Sequence, residues 1–117
     1  MSRKRDIVAF IGTRPEAVKL APVVIALRDA RDFQCTVVAT GQHKEMFRQV
    51  METFGIAVDA DLDVMRPNQS LAGLTARLVE RIDDWLEINR PDMALTVRGS
   101  AIDVRNDLGT KGVTVNL

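Results

Sequence analysis

The sequence predicts an α/β domain built on a doubly wound parallel sheet. Three observations lead there. A strand-like apolar run, Asp6-Ile7-Val8-Ala9-Phe10-Ile11, passes through Gly12 straight into a helix-forming run from Ala17 to Ala30. Short runs of strand character then alternate with runs of helical period, in the order β-α-β-α-β-α-β. The connections between them are short, which favours parallel strands joined by right-handed crossovers.

The 117 residues are enough for one domain, and 46% hydrophobic with 27% charged residues is a globular composition. The 16 basic and 16 acidic residues cancel, so no general attraction to nucleic acid or to an anionic membrane is expected. Cys35 is the only cysteine, which excludes an intramolecular disulfide; in its apolar run it reads as a small core residue. His43 is the only histidine, so a multi-histidine metal site within the chain is excluded and no metal is expected. The basic start, Met1 to Arg5, precedes an apolar run too short for a signal peptide, and no stretch is long enough to cross a bilayer. A cytoplasmic protein without a membrane partner is the expectation.

The first turn carries the chemistry. Gly12 reads as the residue that permits the tight turn through positive φ, and Pro15 suits the first helical position. Free N–H groups and the dipole at that helix end attract an anion. With Arg14 and Lys19 beside them, they make a pyrophosphate cradle. The same spacing also fits an ordinary βα turn with solvated charges. The helix itself is apolar around most of its circumference, which predicts burial, and Pro22 predicts a kink or two shorter helices.

Phe33 to Thr40 is the second strand, and Gly41-Gln42-His43 is a loop at its carboxyl end, where open α/β sheets bind ligands. Met46, Phe47, Val50, Met51 and Phe54 follow at helical spacing, with Gly55 as the cap. Ile56 to Val64 alternates apolar and acidic residues, as a half-exposed strand does; it lacks the glycine and distal glutamate of a calcium loop. After the turn Met65 to Gln69, Ser70 caps a helix with Leu71, Leu74, Leu78, Ile82, Trp85 and Leu86 on one face. Trp85 reads there as a core anchor, not a sugar-stacking platform. Asn89-Arg90-Pro91-Asp92 stops the helix, and Met93 to Val97 is a buried strand. From Arg98 to Asp107 no clear period is visible, and Val113 to Leu117 fits one short strand. That leaves too few helices to cover both faces of the sheet.

Three blocks of residues resemble one family. Gly12-Thr13-Arg14-Pro15-Glu16-Ala17-Val18-Lys19-Leu20-Ala21-Pro22-Val23, Thr40-Gly41-Gln42-His43-Lys44-Glu45-Met46 and Met65-Arg66-Pro67-Asn68-Gln69-Ser70-Leu71 are similar to segments of the non-hydrolysing UDP-N-acetylglucosamine 2-epimerases, in order and from about Ile7 to Leu95. The resemblance implies a Rossmann-like N-terminal domain of a GT-B-type two-domain fold, with the UDP-sugar between the domains. It implies inversion at C2 of UDP-GlcNAc to give UDP-ManNAc, by elimination and re-addition of UDP, without a metal or nicotinamide cofactor. The product serves bacterial surface polysaccharides, and members are usually homodimers. By position, Arg14 and Lys19 would hold the UDP part. Gln42 falls in the block that some members use for an activating sugar nucleotide, and His43 beside it reads as structural or as a support for a contacting neighbour, not as the catalytic base. Glu45 and Asn68 stand where such members carry glutamine and arginine, which argues against substrate activation.

The chain departs from the family after the strand that begins at Met93. There the family has a Gly-Asp-Thr turn with an essential aspartate; this chain reads Val97-Arg98-Gly99-Ser100-Ala101. The expectation is therefore a partial N-terminal domain over 1–97, an atypical tail over 98–117 that reads as a frameshift or truncation, and no C-terminal domain. No catalytic residue is assigned, and an inactive fragment of the epimerase lineage follows. A vestigial half-domain with weak UDP binding and a fragment of a GT-B glycosyltransferase stay open as alternatives.

Overall fold

The apolar run at Ile7 becomes the central strand of a six-stranded sheet in a computed structural model that describes residues 4–41, 44–98, 101–106 and 112–116. The elements are β1 (Arg5–Ile11), α1 (Arg14–Asp29), β2 (Phe33–Ala39), α2 (Lys44–Thr53), β3 (Ala60–Asp61), α3 (Leu71–Asn89), β4 (Met93–Arg98), β5 (Ala101–Asn106) and β6 (Gly112–Asn116). The strand order is β3-β2-β1-β4-β5-β6. β1 pairs in parallel with β2, from Arg5↔Phe33 to Ile11↔Ala39, and with β4 at Ile7↔Met93 to Ala9↔Leu95. Asp6 and Asp92 fasten the starts of β1 and β4: the Asp6 amide donates to Asp92 Oδ2 at 2.7 Å, and the Asp92 amide to the Asp6 carbonyl at 2.8 Å. The first four strands are the parallel sheet that the sequence predicts.

Side chains alternate across a strand, so each residue class of β1 and β2 meets its own layer. Ile7, Ala9, Ile11, Cys35, Val37 and Ala39 pack with Leu20, Val24, Phe47 and Met51 of α1 and α2. Val8, Phe10 and Val38 turn the other way, onto Leu74, Leu78, Ile82, Trp85 and Leu86 of α3. Trp85 meets Phe10 edge-on, centroids 5.8 Å apart and planes at 80°, so it is a core anchor. Burying each large apolar side chain of these layers contributes about 1.5–3 kcal/mol.

Four expectations are corrected by the coordinates. α1 runs unbroken through Pro22, which is exposed next to Val18 at 48% exposure. The carbonyl that Pro22 leaves unpaired is on the solvent side, where water can satisfy it. Nor is α1 buried all round: Ala17, Leu20, Ala21 and Val24 are buried, while Val18 and Ile25 are exposed. The alternating segment 56–64 yields only two strand residues, Ala60 and Asp61. Asp59 is drawn aside to hydrogen-bond the Val37 amide, and Asp63 takes φ 51° with its amide on Asp61 Oδ1 at 2.8 Å. The alternation reflects buried Ile56, Leu62 and Val64 instead. Finally, the segment after Arg98 is not featureless: β5 returns antiparallel to β4 with Arg98↔Ala101 in register, and β6 pairs antiparallel to β5.

α2 ends as Gly55 suggests. Gly55 has φ +66°, its amide donates to the Glu52 carbonyl and that of Ile56 to Met51, the paired bonds of a Schellman stop. Ser70 Oγ accepts from the Gly73 amide at 3.0 Å and caps α3. No described helix is long and apolar enough to cross a membrane.

Candidate functional site

The carboxyl ends of β1, β2 and β3 come together around Gly12. The Thr40 amide donates to the Ile11 carbonyl at 3.1 Å, and the Leu62 amide to Ala39 at 2.9 Å, which draws the exits of the three strands together. Gly12 is needed here because of close approach: a Cβ at this position would collide with Thr40 Oγ1. The positive φ expected of it is found at Gly41 (+87°), the residue that leaves β2. A Cβ on Gly41 would also come 3.1 Å from the Val64 amide nitrogen.

The amino end of α1 is already occupied. Thr13 is the N-cap, with extended backbone, and Arg14, Pro15 and Glu16 are the first three helical residues. Thr13 Oγ1 accepts from the Glu16 amide at 3.4 Å, and Glu16 Oε2 accepts from the amides of Gly12 (2.7 Å) and Thr13 (3.1 Å). This is a capping box, signalled in the sequence by Thr13 and Glu16 three apart. The expectation of free N–H groups awaiting a pyrophosphate is corrected for Gly12, Thr13 and Glu16, whose amides the capping box already takes.

A hollow of about 560 Å³ opens between α2 and the strand exits. Gly12, Ala39, Phe47, Met51 and Ile56 give it apolar walls, and Arg48, Glu52 and Asp61 are its charged members. Arg14 is exposed at the first turn of α1 and lies instead in a second hollow of about 180 Å³, with Gln49, Val50 and Thr53 of α2. Lys19 is half-buried, is engaged in a contact of its own, and lines neither hollow. On an α-helix it falls roughly 140° round and about 7.5 Å along from Arg14. The two cations therefore belong to one helix end but not to one face.

Gln42 and His43 lie outside the described residues, as do Gly99 and Ser100. Gln69, from the third block, donates through Nε2 to the Val64 carbonyl at 3.1 Å, while its Oε1 is buried without a partner among the described residues. Among the described residues no group of three or more metal-ligating side chains occurs.

A sequence model of the family described as UDP-N-acetylglucosamine 2-epimerase matches residues 25–99, well over half of the chain. The chain belongs to the UDP-N-acetylglucosamine 2-epimerase family. It is 45% identical over 89 residues to the UDP-N-acetylglucosamine 2-epimerase of Yersinia pestis, covering 76% of this chain and 24% of that protein. Against the Escherichia coli K12 enzyme of the same name the identity is 42% over the same shares. The crystal structure of the Neisseria meningitidis UDP-GlcNAc 2-epimerase bound to UDP-GlcNAc superposes with a TM-score of 0.70 at 40% identity, over 76% of this chain and 24% of that one. The S. aureus MnaA–UDP structure gives 0.72 at 37%, over 77% and 23%. The chain thus spans about a quarter of the length of the epimerases it matches. Its parallel sheet is that of the N-terminal part of the epimerase structures.

Proposed function

We propose that these residues form one wall of a UDP-sugar site of a UDP-GlcNAc 2-epimerase, with Arg14 and Lys19 acting on the UDP part. The observation that carries this reading is the Gly12-Thr13-Arg14-Pro15-Glu16 turn, set at the carboxyl end of the central strand in a chain of this family. Ligands of open α/β sheets bind at that end. As the bond between C1 and the UDP oxygen breaks, negative charge grows on the pyrophosphate. Cations fixed by α1 stabilise that charge more in the transition state than in the bound substrate.

Elimination also needs a base to take the proton from C2, and re-addition needs an acid to return one on the other face. The family resemblance puts an essential aspartate directly after β4, where this chain has Arg98-Gly99-Ser100-Ala101. The direct return of β4 into β5 supports a strand end built for sheet pairing and not for proton transfer. The 117 residues on their own are therefore a non-catalytic, UDP-binding part. Their proposed setting is the cytoplasm, in a lineage whose members are usually homodimers; Gln42 falls in the block that some members use for an activating sugar nucleotide, a role that Glu45 and Asn68 argue against here.

Titration of the 117-residue chain with UDP tests the site. Saturable binding that weakens by roughly tenfold in Arg14→Ala and in Lys19→Ala is expected, the loss of a charge-assisted contact in each case. Binding indifferent to both substitutions overturns the assignment. Exchange of the C2 proton of UDP-GlcNAc in heavy water, measured above a vector control, overturns the absence of turnover.

A further inference from the structure

We propose that Glu16 is the resident anion of the β1–α1 turn, holding the amides of Gly12 and Thr13 so that phosphate groups are met by side-chain cations and not by these two backbone donors. This deepens the reading that UDP lies at Arg14 and Lys19, and rests on it. The amides of Gly12 and Thr13 are the ones that a phosphate would use at such a turn. Both point at Glu16 Oε2, at 2.7 and 3.1 Å; the shorter is the length of a charge-assisted bond. Two of the first helical amides are engaged within the turn as well, the Arg14 amide not being one of them. The Glu16 amide goes to Thr13 Oγ1, the Ala17 amide to the Thr13 carbonyl at 3.0 Å, and Pro15 has none.

Space and charge close the site further. Glu16 Oε2 sits 3.4 Å from where a Cβ of Gly12 would be, against the bare face of the glycine. An incoming phosphate must displace a carboxylate tethered a few bonds away, whose effective concentration is on the order of millimolar or more. It must also approach against like charge. The turn therefore discriminates: free inorganic phosphate gains little here, whereas a nucleotide diphosphate reaching Arg14 or Lys19 is bound outside the cap. Glu16 is a positioning residue, fixing Gly12 and Thr13 and through them the start of α1.

The test follows the Gly12 and Thr13 amide resonances of the 15N-labelled chain during titration with inorganic phosphate and then pyrophosphate. In the parent chain both stay in place. In Glu16→Ala they are expected to titrate, with an apparent affinity roughly tenfold above the parent's, and Glu16→Gln falls between. A folded Glu16→Ala chain with no gain overturns the proposal, and so does a parent chain whose two amides titrate as readily as the variant's. Should Glu16→Ala not fold, hydrogen exchange in the parent decides. Protection of both amides without any anion, unchanged by phosphate, supports it; fast exchange slowed by phosphate overturns it. The UDP reading stands or falls separately, on Arg14→Ala and Lys19→Ala.

Discussion

Arg28 and Asp59 meet at 2.8 Å, and between them they tie α1 to the backbone of two other segments. Arg28 Nε donates to the Cys35 carbonyl (3.2 Å), and its NH2 group to the Ala57 carbonyl (3.1 Å) and to Asp59 Oδ2. The same Oδ2 accepts from the Val37 amide at 2.8 Å. A half-exposed ion pair alone is worth at most about 1 kcal/mol. Here the charge also satisfies backbone groups, one of them on the fully buried Val37.

Asp59→Ala is accordingly expected to cost about 1–3 kcal/mol, because it orphans the Val37 amide. Arg28→Lys should lose part of the clamp, since one ammonium cannot span three acceptors as the guanidinium fork does. Urea denaturation of the two single variants and the double variant measures this as shifts in midpoint at constant slope. Strict additivity of the two losses would show that the pair does not act as a unit.

Gly12→Ala should destabilise the turn by about 1–3 kcal/mol through its collision with Thr40 Oγ1. Thr40→Ala removes the oxygen and should restore most of that loss in the double variant. The remaining neighbours, Glu16 Oε2 at 3.4 Å and Thr40 Cβ at 3.7 Å, are at ordinary contact distance. A double variant no more stable than Gly12→Ala would mean that backbone conformation, and not crowding, demands the glycine.

Trp85→Ala removes the edge-on partner of Phe10 and leaves a void under α3. Because Trp85 is only partly buried, a loss of about 2–4 kcal/mol is expected, toward the lower part of the range for large aromatic truncations. Trp85→Phe should retain much of it. Near-UV circular dichroism and thermal midpoints of the two variants would separate lost packing from lost ring contact.

Burial pushes the Cys35 thiol up; Arg28 pulls it down and Asp59 raises it again, to a smaller extent. The folded state therefore holds its proton more tightly than the unfolded chain. The associated stability is complete below the unfolded thiol's pKa, about 8.5, and declines as pH rises through it toward the folded value. Cys35→Ala should flatten that alkaline decline in a series of denaturation curves. Alkylation of the native chain should be slow and should accelerate only with unfolding.

The parallel half of the fold was legible because local period and global burial agree there. Ile7, Ala9 and Ile11 alternate with Val8 and Phe10 on a strand buried on both faces, and Leu74, Leu78, Ile82 and Trp85 keep helical step on α3. In 56–64 the alternation does not make a long strand, because Asp59 Oδ2 takes the Val37 amide across to β2 and Asp61 Oδ1 takes the Asp63 amide, which leaves only Ala60 and Asp61 in strand pairing. The return into β5 did have a signal. Ile102 and Val104 alternate with Asp103 and Arg105, as in a strand.

The capping box at the β1–α1 turn was legible by residue type, and the placing of the residues around it less so. Thr13 and Glu16, three apart, are the mark of a capping box, whereas Arg14 and Lys19 beside them equally suit an external anion. Which of two carboxylate-sized acceptors takes an amide is decided by rotamers and not by spacing, and the sequence does not display rotamers. Arg14 likewise turned out beside Gln49 and Thr53, a neighbour set that only the packing of α2 against α1 creates.

The bond from Asp6 to Asp92 joins residues 86 apart, and this has a bearing on synthesis. β1 leaves the ribosome first among the strands, finds β2 soon after, and then keeps its other edge unpaired until β4 has been made. At about 5–20 residues per second those 86 residues take roughly 4–17 s. Throughout that interval this inner strand of the sheet is a one-sided template, open to any passing chain. Cellular holdases that shield strand edges would thus act on this protein before β4 exists.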